Sequence, residues 1–459
     1  MKRAALLIAV SALAACSMQP PYQRPLPAIP AAWPADPALR QSEATLPGYD
    51  WHAALADPRL QRLVDQALAH NQDIAAALAN IAAARANYRV QRAALFPEVD
   101  GSASYTRSGG DAARVQGDSF AVGGGIPAYE LDLFGRVRSL TDVQRQRFLG
   151  SVATARATRL ALVASVAEAW ITLGVDRTLL AIAQDTARTA GEQVTLTTRR
   201  VTGGIAPLSD QRQAEIVLAT AQADIARQTT LVAQDINALR LLAGSEPAPA
   251  DLPAGVEDAA ARLGEVPAGL DSALLLRRPD VVAAEYALKA ANAQIGAARA
   301  ALFPKISLTA AVGVASTALS SLFTAGAFSW SAGASADYPI FSAGKGKAGV
   351  ALARAQRDAA LAQYQKAIQS AFRDVANTLA RRATIDAERA ATRHGLAAAA
   401  DNARLAGQRY SGGIASYLDS LTAQQALYTA RRTAANTEAA RAINLVELYR
   451  SLGADTPGE

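Results

Sequence analysis

Six residues, Arg92-Ala93-Ala94-Leu95-Phe96-Pro97, return as Arg299-Ala300-Ala301-Leu302-Phe303-Pro304, 207 positions later. The offset holds beyond them. Asp73-Ile74 maps onto Asp280-Val281, and Phe134-Gly135 onto Phe341-Ser342. Gly203-Gly204-Ile205 and Asp210 recur as Gly412-Gly413-Ile414 and Asp419, now shifted by 209. The chain is one long unit written twice, and a unit of about 200 residues is far longer than a solenoid repeat.

Each copy changes character at its Phe-Pro. The sequence upstream is helical, and proline cannot continue a helix interior. Downstream the period becomes two. In copy two, Ile306, Leu308, Ala310, Val312 and Val314 alternate with Ser307, Thr309, Ala311 and Gly313. In copy one, Val99, Ala103 and Tyr105 alternate with polar residues. This is strand spacing, with small and polar residues on one side and apolar residues on the other.

In order, the sequence predicts a short amphipathic helix from Trp51 to His70 and a second from about Gln72 to Leu95. The rest of repeat 1 (51–243) is a hairpin over 97–133 and long helices over 136–200 and 207–243. Strands are expected at 97–107 and 119–133. Residues 244–278 hold Pro247, Pro249, Pro253 and Pro267 and read as a linker between copies. Repeat 2 (279–452) has a helix from Pro279 to Leu302, a hairpin over 304–340 and long helices over 345–410 and 414–452. Its strands are expected at 304–315 and 326–340, and residues 453–459 form a tail. Leu162, Val166, Ala169, Leu173 and Leu180 make one stripe, with Leu160, Val163, Ala167 and Trp170 beside it. Two adjacent stripes suit a helix packed on both flanks.

The N-terminus reads as an export signal. Lys2-Arg3 is followed by an apolar run from Ala4 to Ala12, too short to span a bilayer. Leu13-Ala14-Ala15-Cys16 has the form of a lipoprotein cleavage box. Residues 1–15 are therefore a signal peptide, and Cys16, the sole cysteine, takes a covalent lipid such as palmitate. No other cofactor is expected. Residues 16–50 are a proline-rich arm without a core of its own. The formal charge of +6 falls to +4 without Lys2 and Arg3, and it is not clustered, which argues against nucleic acid.

Ile306 to Ala336 contains no charged residue. Phe328, Trp330, Ala332, Ala334, Ala336, Tyr338 and Ile340 alternate with Ser329, Ser331, Gly333, Ser335, Asp337 and Pro339. Period two, with aromatics near one end, matches a strand of a membrane barrel. Lipid permits no open sheet edge, so the strands must close. Two hairpins give four strands per chain. Two chains would close a barrel filled by side chains, and three, with about twelve strands, would be the first with a wet lumen.

Enzymatic chemistry has no convergent site here. His52, His70 and His394 are scattered. Gly123-Gly124-Gly125 lies inside a strand pattern and is no phosphate loop. The pairs Arg199-Arg200, Arg381-Arg382 and Arg431-Arg432 read as solvated helix faces or ion pairs. A periplasmic coiled-coil adaptor or structural lipoprotein would share the long helices and the anchor but lack two period-two hairpins.

The chain resembles the TolC-type outer membrane factors, in their lipoprotein (OprM/NodT-like) branch. The residues that carry the resemblance are Asp57-Pro58, Asn71-Gln72-Asp73-Ile74, Arg92 to Pro97 and Tyr129 to Gly135. Copy two adds Leu276 to Asp280, Ala301 to Lys305, Pro339-Ile340-Phe341 and Tyr410 to Ile414. The resemblance implies a homotrimer with a twelve-stranded barrel in the outer membrane, continued by a periplasmic helical barrel. It also implies a periplasmic membrane-fusion adaptor and an inner-membrane pump, usually of the resistance-nodulation-division type, exporting small molecules. A type I protein secretion duct is the other role on this fold. The helix-turn-helix tips would close the periplasmic mouth, here Val201 to Asp210 and Arg409 to Thr422. By resemblance, Leu418 and Thr422 sit where the lumen is narrowest. Some relatives are acidic at the Thr422 position and this chain is not, which leaves Asp210 and Asp419 as the acidic candidates. Gly203, Gly204, Gly412 and Gly413 form the turns that would dock the adaptor.

Overall fold

A computed structural model describes residues 17–26, 29–30, 51–109, 117–264, 272–324 and 326–453. Residues 1–15, expected to be a signal peptide, lie outside the described residues, as do Cys16, most of the 16–50 arm and the tail after Gly453. In chain order the elements are α1 (Trp51–Ala54), α2 (Pro58–His70), α3 (Gln72–Ala93), β1 (Asp100–Ser108), β2 (Gly117–Leu131), α4 (Arg136–Thr202), α5 (Leu208–Ala243), α6 (Val256–Ala260), α7 (Pro279–Ala300), β3 (Lys305–Ser316), β4 (Phe328–Asp337), α8 (Lys345–Ser411) and α9 (Tyr417–Leu452). They divide between two compact units. One takes its described residues from Met1–Pro27, Ala79–Ala153 and Val282–Ala367, the other from Ala28–Leu78, Thr154–Val281 and Ile368–Glu459.

The first unit holds the sheet. Each Phe-Pro ends its helix in a tight turn, Phe96 N–H donating to Ala93 O (2.9 Å) and Phe303 N–H to Ala300 O (3.1 Å). An extended chain follows. The four strands are all antiparallel in the order β1-β2-β3-β4. The hairpins of the two repeats therefore join through β2 and β3, and β1 and β4 are the edges. The β2–β3 seam runs past the three glycines of β2, where Gly123 faces Gly313. A Cβ on Gly123 would lie 2.7 Å from Val312 O, and one on Gly313 would lie 2.7 Å from Val122 O. Glycine is needed there for close strand approach, which accounts for the Gly123-Gly124-Gly125 run. The ladder shifts register between Ile126 and Tyr129, around Pro127, which has no N–H to give.

The same unit contains a feature that the proline content did not announce. Residues 17–26 are extended, as expected, but they are docked on α7. Arg24 donates to Glu285 from Nε (3.1 Å) and Nη2 (2.7 Å), and the Tyr22 hydroxyl donates to the same carboxylate (3.2 Å). Lys289 adds an ion pair at 2.9 Å. The Asn292 amide donates to Pro20 O (2.8 Å) and Arg299 to Met18 O (3.3 Å).

The second unit holds most of the helical core. Most of both stripes of α4 is buried, with Val163, Val166, Ala167, Trp170 and Leu173 at 0% exposure, while Ala169 and Leu180 are half-buried. The apolar window of α4 is long enough to cross a membrane, but it is mostly covered by protein. Two expectations are corrected here. The helix expected over 51–70 is two helices, because Pro58 cannot sit in a helix interior and instead opens α2, with Asp57 as N-cap accepting from Arg59 N–H (2.8 Å). The 244–278 stretch is more than a linker. It carries α6 and short 3₁₀ turns, and it buries Leu252, Val256, Ala259 and Leu275. Trp170 donates to Asp251 O (2.9 Å), and Arg59 lies over the Trp170 ring while bridging Asp57 and Asp258. Proline spacing set the breaks between short turns but did not keep their side chains out of the core.

Candidate functional site

The helix tips are built by one backbone motif used twice. At the end of α4, Ile205 N–H donates to Arg200 O (2.9 Å) and Gly204 N–H to Val201 O (3.0 Å). At the end of α8, Ile414 N–H donates to Arg409 O (2.8 Å) and Gly413 N–H to Tyr410 O (3.1 Å). This paired 6→1 and 5→2 bonding needs a left-handed residue between, and Gly204 and Gly413 both sit at φ +71°. Gly203 and Gly412 are not left-handed, so one glycine in each pair is conformationally required.

The restarts differ. Pro207 precedes α5 and gives no side-chain cap. Ser416 caps α9, accepting from Asp419 N–H (3.2 Å), while the Asp419 carboxylate accepts from Ser416 N–H (3.2 Å) and its hydroxyl (2.9 Å). Asp419 thus occupies a capping box, which satisfies two helix-start donors. Asp210 lies in the first turn of α5, where a carboxylate suits the helix dipole.

The two tips are locked to one another by residues that sequence reasoning passed over. Arg200, read as lying on a solvated helix face or in an ion pair, donates to Tyr410 O (3.2 Å) and Ser411 O (3.1 Å), and its guanidinium lies 4.4 Å from the Tyr410 ring centroid. It therefore satisfies carbonyls in the last turn of α8, which have no partner within their own helix. Tyr410 and Tyr417 are buried with ring centroids 5.4 Å apart, in a cluster with Ala214 and Leu421. Burial first, then Tyr410 and the charge of Asp210, push the Tyr417 hydroxyl up to about 12. Two tyrosines seven apart across a Gly-Gly turn were the available signal. The other arginine pairs divide similarly: Arg431 pairs with Asp185 (2.6 Å), Arg432 lies over Tyr428, and Arg381 pairs with Glu388 (2.6 Å).

Around this block the apolar ends are bare. Ile205 is 77% exposed, Ile414 74% and Leu418 61%. Thr422 is also exposed, its hydroxyl donating to Leu418 O (2.9 Å) one turn back. Asp210, Tyr417, Leu418, Asp419 and Thr422 thus share one end of the α5 and α9 starts, beside Gly203, Gly204, Gly412 and Gly413. The lipid-bearing candidate Cys16 lies outside the described residues.

A family model for outer membrane efflux proteins matches residues 63–245 and 270–454, one segment in each repeat. The toluene efflux pump outer membrane protein TtgC of Pseudomonas putida is 40% identical over 464 residues, covering 99% of this chain and 96% of the relative. The outer membrane protein OprJ of Pseudomonas aeruginosa is 39% identical over 456 residues, covering 98% and 95%. The open-state MtrE outer membrane channel of Neisseria gonorrhoeae superposes with a TM-score of 0.86 at 37% identity, over 95% of this chain and 98% of that one. With a four-stranded antiparallel sheet and a duplicated set of long helices matching along their whole length, the chain belongs to the outer membrane efflux protein family, as a Gram-negative outer-membrane channel of an efflux pump.

Proposed function

We propose that three copies close a twelve-stranded barrel in the outer membrane, anchored further by lipid on Cys16. The observation that supports this most is the pair of open edges. β1 and β4 bound a sheet whose strands run 9, 15, 12 and 10 residues, the length a membrane strand needs. Lipid does not tolerate such edges, so β4 of one copy pairs with β1 of the next until the ring closes. In the periplasm the tips meet a membrane-fusion adaptor at Gly203-Gly204 and Gly412-Gly413, where Ile205 and Ile414 give it apolar contacts. An inner-membrane pump of the resistance-nodulation-division type supplies the cargo. The likeness to a toluene-pump protein supports small organic molecules as that cargo. At rest the mouth is narrowed by Leu418, with Thr422, Asp419 and Asp210 around it, and it opens when the adaptor engages.

The test is the full chain purified in detergent. Its protein mass should be three times that of the chain, and single channels in a planar bilayer should conduct weakly. Leu418→Ala should raise the conductance several-fold. A complex that stays soluble without detergent would contradict the barrel, and an unaltered conductance would remove Leu418 from the constriction.

A further inference from the structure

Three helices of the second unit surround a cavity of about 160 Å³. Ile216, Val217, Thr220, Ala221 and Asp224 line it from α5, at spacings of one and three that mark a single helix face. Leu427, Tyr428 and Arg431 line it from α9, and Asp185, Thr186 and Thr189 from α4. Ala221 is buried, whereas Ile216 is exposed, so the cavity is reached from the surface past Ile216.

The polar groups of this lining are largely spent within the protein. Thr186 Oγ1 donates to Ile182 O (2.8 Å) and Thr220 Oγ1 to Ile216 O (2.8 Å). Asp185 accepts from Arg431 (2.6 Å) and from Arg188 (2.6 Å). Asp224 accepts from the Tyr428 hydroxyl (2.5 Å) and pairs with Arg227. Thr189 and the Gln424 and Gln425 amides complete the polar part. A charged ligand would compete with the ion pairs, and a neutral one leaves them intact. Water gains little in a site whose polar groups are already bonded elsewhere. Tyr428 is held at both ends, by Asp224 at its hydroxyl and by Arg432 over its ring (5.4 Å), so this wall is formed before any ligand arrives. An apolar cavity of about 150 Å³ has room for benzene, and a second ring can meet Tyr428 offset or edge-on.

The second repeat has the groove without this lining. Helices α8 and α9 stand 209 positions from α4 and α5. There Ile216, Val217 and Asp224 become Gln425, Ala426 and Thr433, and Asp185 becomes His394. A groove runs past Gly395, Gln425, Ala426 and Thr433, with no large apolar side chain along it.

We propose that the cavity between α4, α5 and α9 binds a neutral single-ring aromatic molecule of about benzene's size, packed against Val217 and Tyr428. Val217 also packs against the buried Ala214, Tyr410, Tyr417 and Leu421 behind the helix tips, so the occupant braces that block. The site is separate from the constriction proposed above and does not rest on it.

The experiment irradiates the full chain in detergent with a single-ring aryl diazirine and maps the labels by mass spectrometry. The reagent also reaches apolar strand faces, so labels at Phe328 and Trp330 are the internal measure. Labels should appear within 185–189, 216–224 and 424–431. Excess toluene should lower them several-fold relative to the strand labels, and benzylammonium should not. Ala221→Leu puts side-chain atoms into the cavity and should abolish its labels while the strand labels stay. Thr220→Leu fills from an exposed position and serves the same purpose if Ala221→Leu fails to fold. Labels on the strands alone would overturn the site, as would cavity labels that survive toluene and the filling substitution. Equal labelling of the Gly395–Thr433 groove would reduce the site to a generally greasy helix surface. Equal competition by benzylammonium would overturn the neutral class.

Discussion

Helices α3 and α7 are copies of one another, each 22 residues long and each leading into the same Arg-Ala-Ala-Leu-Phe-Pro. Yet α3 has no buried residue, while α7 buries Val281, Leu288, Ala293, Ile295, Ala297 and Ala300, along with Glu285 and Asn292. The strap that residues 17–26 lay on α7 accounts for one face of the difference. Where α7 has Glu285, Lys289, Asn292 and Gly296, the matching positions of α3 hold Leu78, Ala82, Arg85 and Arg89. The α7 face offers a buried acid, an amide and a glycine that admits a backbone. The α3 face has two long cations in place of the amide and the glycine, and it leaves Leu78 59% exposed. Duplication kept the backbone plan, and later side-chain changes decided what covers each copy.

The largest expected effect follows from the glycine. Gly296→Val places side-chain atoms where Gln19 and Ser139 already sit, and overpacking of this kind costs about 1–3 kcal/mol. The matching Arg89→Val on α3 should stay within about 0.5 kcal/mol, as surface changes do. Denaturant unfolding, with limited proteolysis of residues 17–26 as a local probe, would separate the two. Equal effects would mean that the strap contributes nothing to the contrast.

The acid comes next. Burial raises the Glu285 carboxyl, but hydrogen bonds from Arg24 and Lys289 and their charges outweigh it and hold the group below its ordinary 4.5. A group depressed on folding stabilises fully above its unfolded value and loses that contribution as pH falls through the folded one. Glu285→Gln, which trades a charge-assisted bond for a neutral one, should cost about 1–2 kcal/mol at neutral pH. The gap to the unsubstituted chain should shrink below pH 4.5, the direction set by that depressed value. A gap that is flat with pH would show that Glu285 acts through shape alone.

The strap also marks where the sequence was silent. The Phe-Pro breaks, the period-two strands and the Gly-Gly turns are local signals, since a helix stop or a pleat is specified within a few residues. The β2–β3 seam was partly legible, because a Gly run inside a strand pattern means close approach of another backbone. The Arg24–Glu285 contact spans 261 positions, and nothing near Glu285 in an Ala-rich helix announces it. The same holds for Arg200 on Tyr410, 210 positions apart. Such contacts depend on which surfaces the folded chain brings together, and single-sequence periodicity carries no record of that. The Pro-rich stretches misled for a related reason: proline fixes φ and removes a donor, but it does not say whether its neighbours are buried.

The smallest effect on the single chain is the one that tests the other half of the contrast. Ile74, Ala77, Ile81, Ala84, Tyr88 and Gln91 of α3 are half-buried, a narrow stripe at spacings of three and four. Leu78 and Val90 stand outside it. If α3 is covered by the neighbouring copy in the proposed trimer, as α7 is covered by its own strap, these two side chains meet protein only on assembly. Leu78→Ala with Val90→Ala should then leave the unfolding of dissociated chains within about 0.5 kcal/mol, because exposed positions lose little contact. The detergent-purified trimer should dissociate at lower denaturant concentration than the unsubstituted one, because apolar area buried between copies is worth about 25 cal/mol per Å². A trimer of unchanged stability would mean that α3 faces solvent or lipid in the assembly, and that the second copy of the repeat differs from the first in having found a cover at all.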